Sequence, residues 1–188
     1  MSYEREFATV DILRASKTAE TRGVDAFALC IIKMERQIRR LLTFSIFQFP
    51  CFTYASIPDL KTALANERIY YEGFIKGFEA LHPKSIADLI GPEYARLQPL
   101  LPVIKKHRNK IFHGQITGQE LSRETLLDYV DDLREWCRLL GEGTHSYLGY
   151  EGFDDSFRKS PDATFVSHYK LSLASVGDYK NLLKTLRS

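Results

Sequence analysis

Cysteine is scarce. Cys30, Cys51 and Cys137 are odd in number, widely spaced, and form neither a disulfide framework nor a zinc pattern. They fit a reduced protein with buried thiols. Excess charge is missing too. Lys and Arg number 26 against 24 Asp and Glu, a net charge of +2, so any nucleic-acid site must be a local patch. No apolar run reaches the roughly 18–20 residues of a membrane span. The start, Met1-Ser2-Tyr3-Glu4-Arg5-Glu6, lacks the apolar core of a signal peptide. A cytoplasmic location without a membrane partner is therefore expected. There is no glycine-rich phosphate loop and no His/Cys/Asp cluster at metal-ligand spacing, so neither metal nor cofactor is expected. No internal repeat and no linker rich in Gly, Ser or Pro divides the chain.

What remains is an ordinary globular composition: 188 residues, 44% apolar and 27% charged, enough for one domain with a real core. Helical periodicity dominates to about residue 140. Residues 23 to 49 read as a long first helix, with Cys30, Met34, Gln37, Leu41 and Ser45 at helical spacing and Ile38 and Leu42 beside them. Arg36, Arg39 and Arg40 lie toward other faces, and Pro50 ends the helix. Phe7, Val10, Ile12 and Leu13 allow a separate helix before it. Ser56 and Pro58 open a second long helix carrying Leu60, Leu64, Tyr71, Phe74, Phe78 and Leu81, with Glu67 in the middle of the same stripe. Ser85 caps a short helix stopping at Gly91-Pro92. Ser122 caps the last core helix, whose stripe is Leu126, Val130, Leu133, Cys137 and Leu140, and Gly141 follows its end. The organisation read from this is a helical domain over 1–143 and an extension over 144–188. In the extension, residues 164–173 suit an extended segment and 176–186 a short helix. It is either an arm packed on the domain or a partner-binding segment.

The chemistry concentrates in Arg108-Asn109-Lys110-Ile111-Phe112-His113, followed by Gly114. On a helix starting near Leu101, Leu101, Ile104, Ile111 and Phe112 share a face at about 100° per residue, and Arg108 falls in its middle. An arginine buried there without a partner would cost on the order of several kcal/mol. Glu67, the matching anomaly on the preceding helix, is its expected partner. Asn109 and His113 are four apart and adjoin. Lys105, Lys106 and Lys110 add positive charge, and His107 neighbours Arg108. An arginine fixes positive charge for a phosphate, and a histidine moves protons near neutral pH. The plainer readings are that Arg108 bridges Glu67 in a core, that His113 caps a helix end, and that the lysines, Asn109 and His107 form a solvated face. Arg108 and His113 are five apart and do not share a helix face. They converge only through side-chain length, a loosened helix end, or a second copy of the helix.

Residues 104–114, Ile-Lys-Lys-His-Arg-Asn-Lys-Ile-Phe-His-Gly, resemble the signature of the HEPN superfamily: an arginine, a polar residue, a short spacer, then histidine and commonly glycine. The helical surroundings over about residues 22 to 141 also resemble it. The resemblance implies an all-α, HEPN-like up-down bundle of four to five helices with a C-terminal extension. It implies a homodimer whose two motif helices build one composite site. The implied activity is metal-independent endoribonuclease chemistry in a prokaryotic defence or toxin–antitoxin system. Arg108 would stabilise the scissile phosphate, His113 would act as acid or base, and Asn109 would support either. Lys105, Lys106, Lys110 and His107 would contact RNA. A cognate antitoxin or another defence protein is the implied partner. Some HEPN toxins carry a modified tyrosine two residues after the histidine. Gln115 stands there instead, which argues against that control. The alternatives are a non-catalytic HEPN module that binds RNA or nucleotide or scaffolds a defence complex, and a helical interaction protein in which Arg108 is structural.

Overall fold

The computed structural model describes residues 3–113 and 121–187. Among them every regular element is helical: α1 (Tyr3–Ala15), α2 (Arg22–Phe47), α3 (Ile57–Ala65), α4 (Tyr71–Leu81), α5 (Ile86–Ile90), the single turn α6 (Tyr94–Leu97), α7 (Leu100–Phe112), α8 (Arg123–Leu148) and α9 (Val176–Thr185). Gly114 and Gln115 lie outside the described residues. No described helix is long and apolar enough to cross a membrane.

The two longest helices, α2 and α8, make the most extensive pairing, and α1 and α4 pack on α2 beside it. On α2 and α8 the residues expected to face inward do so. Cys30, Met34, Ile38 and Leu41 of α2 are buried, as are Leu126, Val130, Leu133, Cys137 and Leu140 of α8. Gln37 sits in the same stripe because its amide donates to the carbonyls of Cys137 (2.9 Å) and Glu151 (3.0 Å). A polar group in the core is tolerated when it is hydrogen-bonded. The first segment is a helix of its own, tied to α2 by a buried ion pair of Glu6 and Lys33 at 3.0 Å.

Four sequence expectations are corrected. The helix expected over 56–81 is two helices. Polar residues Asn66, Glu67 and Arg68 interrupt it, and the halves serve different neighbours, α3 packing on α9 and α4 on α2. Ser56 does not cap α3; its hydroxyl accepts the Thr53 N–H at 3.2 Å. The last core helix does not stop at Gly141 but continues to Leu148, where Gly149 takes the left-handed conformation (φ 69°). Inside it Gly143 permits close approach instead of ending the helix: a Cβ there would lie 2.2 Å from the Leu89 carbonyl of α5. Finally, Thr164–His168 forms a 3-10 turn, not an extended segment.

The segment after α8 lies along the bundle. Gln48 bonds it twice, donating to the Arg158 carbonyl (2.9 Å) and accepting the Ser160 N–H (2.8 Å). Lys159 donates to the carbonyls of Phe47 and of Phe49, the latter at 3.1 Å. The carbonyls at a helix C-terminus have no partner within the helix; here the tail supplies cations and amides to the end of α2. Tyr150 stacks on Phe44 with ring centres 4.3 Å apart, and Phe153 is buried, so both aromatics anchor the tail. Ser175 caps α9 by accepting the Asp178 N–H at 3.2 Å.

Candidate functional site

Helix α7 carries the motif. Pro99 precedes it and Pro102 lies in its first turn, where proline costs no intrahelical hydrogen bond. Its buried residues are Ile104 and His107, flanked by half-buried Leu100 and Ile111. The helix is therefore rolled relative to the expected stripe. Phe112 is 51% exposed, and His107 takes the inward position. The His107 ring lies 5.6 Å from that of Tyr129 on α8. Burial, and then the charges of Lys106 and Lys110, lower its pKa, which favours the neutral imidazole. The expectation that His107 faces RNA is corrected: it belongs to the α7–α8 packing.

The roll leaves Arg108 on the flank of the buried stripe, half-buried at the junction with α2. Its partner is Glu35. Nη2 donates to Glu35 Oε1 at 3.1 Å and lies 3.3 Å from Oε2. Nη1 donates to Asn109 Oδ1 at 2.9 Å, and the guanidinium stands 5.4 Å from the Phe112 ring centre. Glu67 is thus not the partner of Arg108. It falls in the bend after α3 and pairs with Arg187, whose hydrogen bond holds its carboxyl below the usual range. Glu35 was detectable in principle: after Asp25 it is the one acid in α2, set among Lys33, Arg36, Arg39 and Arg40.

His113 is the C-cap of α7 and is exposed; its N–H donates to the Asn109 carbonyl at 3.1 Å. Its imidazole has no partner among the described residues. Lys105 is engaged with Glu72 of α4 at 2.7 Å, whereas Lys106 and Lys110 have no anionic partner among the described residues. Asn109, Lys110 and Arg108 thus gather at one end of α7, with His113 at its tip. Five residues separate Arg108 from His113, which sets them roughly 140° apart around a regular helix. Among the described residues no group of three or more His, Cys, Asp or Glu is arranged to hold a metal ion.

Two other features adjoin this end of α7. Phe112 is a large apolar side chain left in solvent, 51% exposed. A groove of about 660 Å³ runs along the outer face of α2, and Glu35 lines it. Comparison with protein-family models, with curated proteins and with solved structures gives no match.

Proposed function

We propose that the chain is a metal-independent endoribonuclease of the HEPN type, its helices arranged as a HEPN-like up-down bundle with a C-terminal extension. The observation that carries the reading is the end of α7, where a carboxylate-held Arg108 lies five residues before the exposed His113, whose imidazole has no partner among the described residues. Arg108 keeps guanidinium donors beyond those given to Glu35 and Asn109, and these suit a phosphate oxygen. In the reaction the RNA 2′-oxygen loses its proton and bonds to phosphorus, and the P–O5′ bond breaks. The leaving 5′-oxygen takes a proton, leaving a 2′,3′-cyclic phosphate and a 5′-hydroxyl. His113 carries one of these protons and Arg108 offsets the charge on phosphorus. DNA lacks the attacking hydroxyl.

The wide angle between Arg108 and His113 favours a site shared between two copies, each supplying half. Phe112, exposed beside the Arg108 guanidinium, provides apolar surface for that pairing. By resemblance the setting is a prokaryotic defence or toxin–antitoxin system in the cytoplasm, with an antitoxin as a further partner. The Glu35 ion pair favours a second reading, a non-catalytic module in which Arg108 is occupied and RNA or nucleotide is only bound. Incubating mixed-sequence RNA in EDTA with the wild type and with His113→Ala separates the two. Cyclic-phosphate ends made by the wild type and lost in the variant support cleavage. A folded protein that binds RNA without cutting it supports the second reading.

A further inference from the structure

The outer face of α2 carries three arginines. Arg36, Arg39 and Arg40 sit at i, i+3 and i+4, and Thr43 continues the line one turn on, so all four share a face. They form one wall of the 660 Å³ groove. The opposite wall comes from the end of α3, the bend after it and the start of α4. The tail closes one side with residues 155–157. The volume lies within the range of sites that hold small ligands, roughly 300–1,000 Å³.

The groove has two kinds of surface. Its apolar part is Leu64, Ile69, Phe74 and Phe157. Its polar part is cationic. Lys61 stands over the Phe157 ring at 5.3 Å. Arg39 is exposed and has no partner among the described residues. Arg36 is 3.7 Å from Glu6, and Arg40 donates to the Phe153 carbonyl, so each uses only part of its donor set. Three carboxylates line the groove, but Glu35 and Glu67 are already paired with Arg108 and Arg187, neither of which lines it. The remaining one, Asp155, accepts the Phe157 N–H at 3.1 Å. The cavity therefore carries uncompensated positive charge beside an aromatic, apolar floor.

We propose that this groove binds a nucleoside phosphate. The arginines of α2 take the phosphate, where fork-shaped donors match its oxygens. The base lies on the apolar floor against Phe157. Asp155 retains acceptor capacity for a ribose hydroxyl. A bare phosphate would leave the apolar floor unused, and a purely apolar ligand would leave the arginines without an anion. The ligand is either a free nucleotide or one residue of a strand. The tail acquires a role in this scheme, since it contributes the aromatic and the acceptor. The site lies apart from His113 and requires no cleavage.

The test uses full-length protein carrying His113→Ala, so that no probe is cut during titration. Adenosine 5′-monophosphate, a ten-residue oligouridylate and inorganic phosphate are titrated calorimetrically. The expected result is binding of a nucleoside-phosphate probe, weakened at least about tenfold by Arg39→Glu with an unchanged circular dichroism spectrum, and falling with added salt. Arg39→Gln serves if the glutamate variant does not fold. Binding of both probes assigns the site to free nucleotide; binding of the oligonucleotide alone assigns it to a strand. The proposal is overturned if neither probe binds, if Arg39 substitution leaves affinity unchanged, or if inorganic phosphate binds as well as the nucleotide.

Discussion

Acid should destabilise this protein through one buried ring. His82, the residue after α4, is fully buried, stacked on Phe78 with centres 4.1 Å apart and edged by Tyr169 at 4.7 Å. Its Nε2 lies 2.8 Å from Ser45 Oγ. Ser45 already donates its proton to the Leu41 carbonyl at 2.9 Å, so Nε2 is the donor and Nδ1 bears a lone pair. Nδ1 has no hydrogen-bond partner. Protonating it would place an N–H and a charge where nothing accepts them, and burial, with the charge of Lys170, pushes the His82 pKa from 6.5 down to about 3. Below pH 6.5 the unfolded chain binds a proton that the native ring refuses, so stability falls as pH falls, down to about pH 3. With those two values the loss is about 2 kcal/mol by pH 5 and about 5 kcal/mol in all, at 1.36 kcal/mol per unit. Urea unfolding of wild type and His82→Phe at pH 7 and pH 5 isolates this contribution, because the other titrating groups are common to both proteins. The wild type should lose about 2 kcal/mol more than the variant over that interval. Equal losses, or a His82 imidazole titrating near 6.5 by NMR, would refute the reasoning.

Gly143→Ala should cost more than the roughly 1 kcal/mol by which alanine normally improves a helix interior: its Cβ meets the Leu89 backbone carbonyl at 2.2 Å, so α5 must shift. A loss of about 2 kcal/mol or more in chemical denaturation is expected, and a gain would mean that α5 is loosely held. Glu35→Gln removes a half-exposed ion pair and should cost no more than about 1 kcal/mol. A loss above about 2 kcal/mol in the same assay would make Arg108 a structural arginine.

The central helix pair was legible because α8 and the first part of α2 bury a stripe at the helical period, with residues such as Cys30, Ile38, Val130 and Cys137, although residues 41–47 of α2 are buried on every side. Ser85 and Ser122 were legible as caps because capping is local: Ser85 accepts the Asp88 N–H and Ser122 the Thr125 N–H, both at 3.1 Å. The roll of α7 was not. Periodicity ranks Phe112 above His107 as a core residue, yet Tyr129 offers the imidazole an aromatic neighbour, and Phe112 is left beside the Arg108 guanidinium. The partner of Arg108 was missed for a related reason. Two anomalies on adjacent stripes suggested Glu67, but the chain bends at Asn66, and no local pattern reports which of two helices faces α7. Gly141 misled because a glycine inside a helix serves close packing as readily as it serves termination.

The attachment of the tail to the end of α2 also orders events in time. Residues 158–160 leave the ribosome some 110 residues after Gln48, yet Lys159 satisfies the carbonyls of Phe47 and Phe49, and Arg158 and Ser160 bond the Gln48 side chain. The central pair of α2 and α8 waits for residues up to 148, and the end of α2 is not completed until the tail emerges after it. The groove wall built by residues 155–157 is delayed in the same way. A chain ending before residue 155 would thus leave the end of α2 without these partners and the groove without one wall.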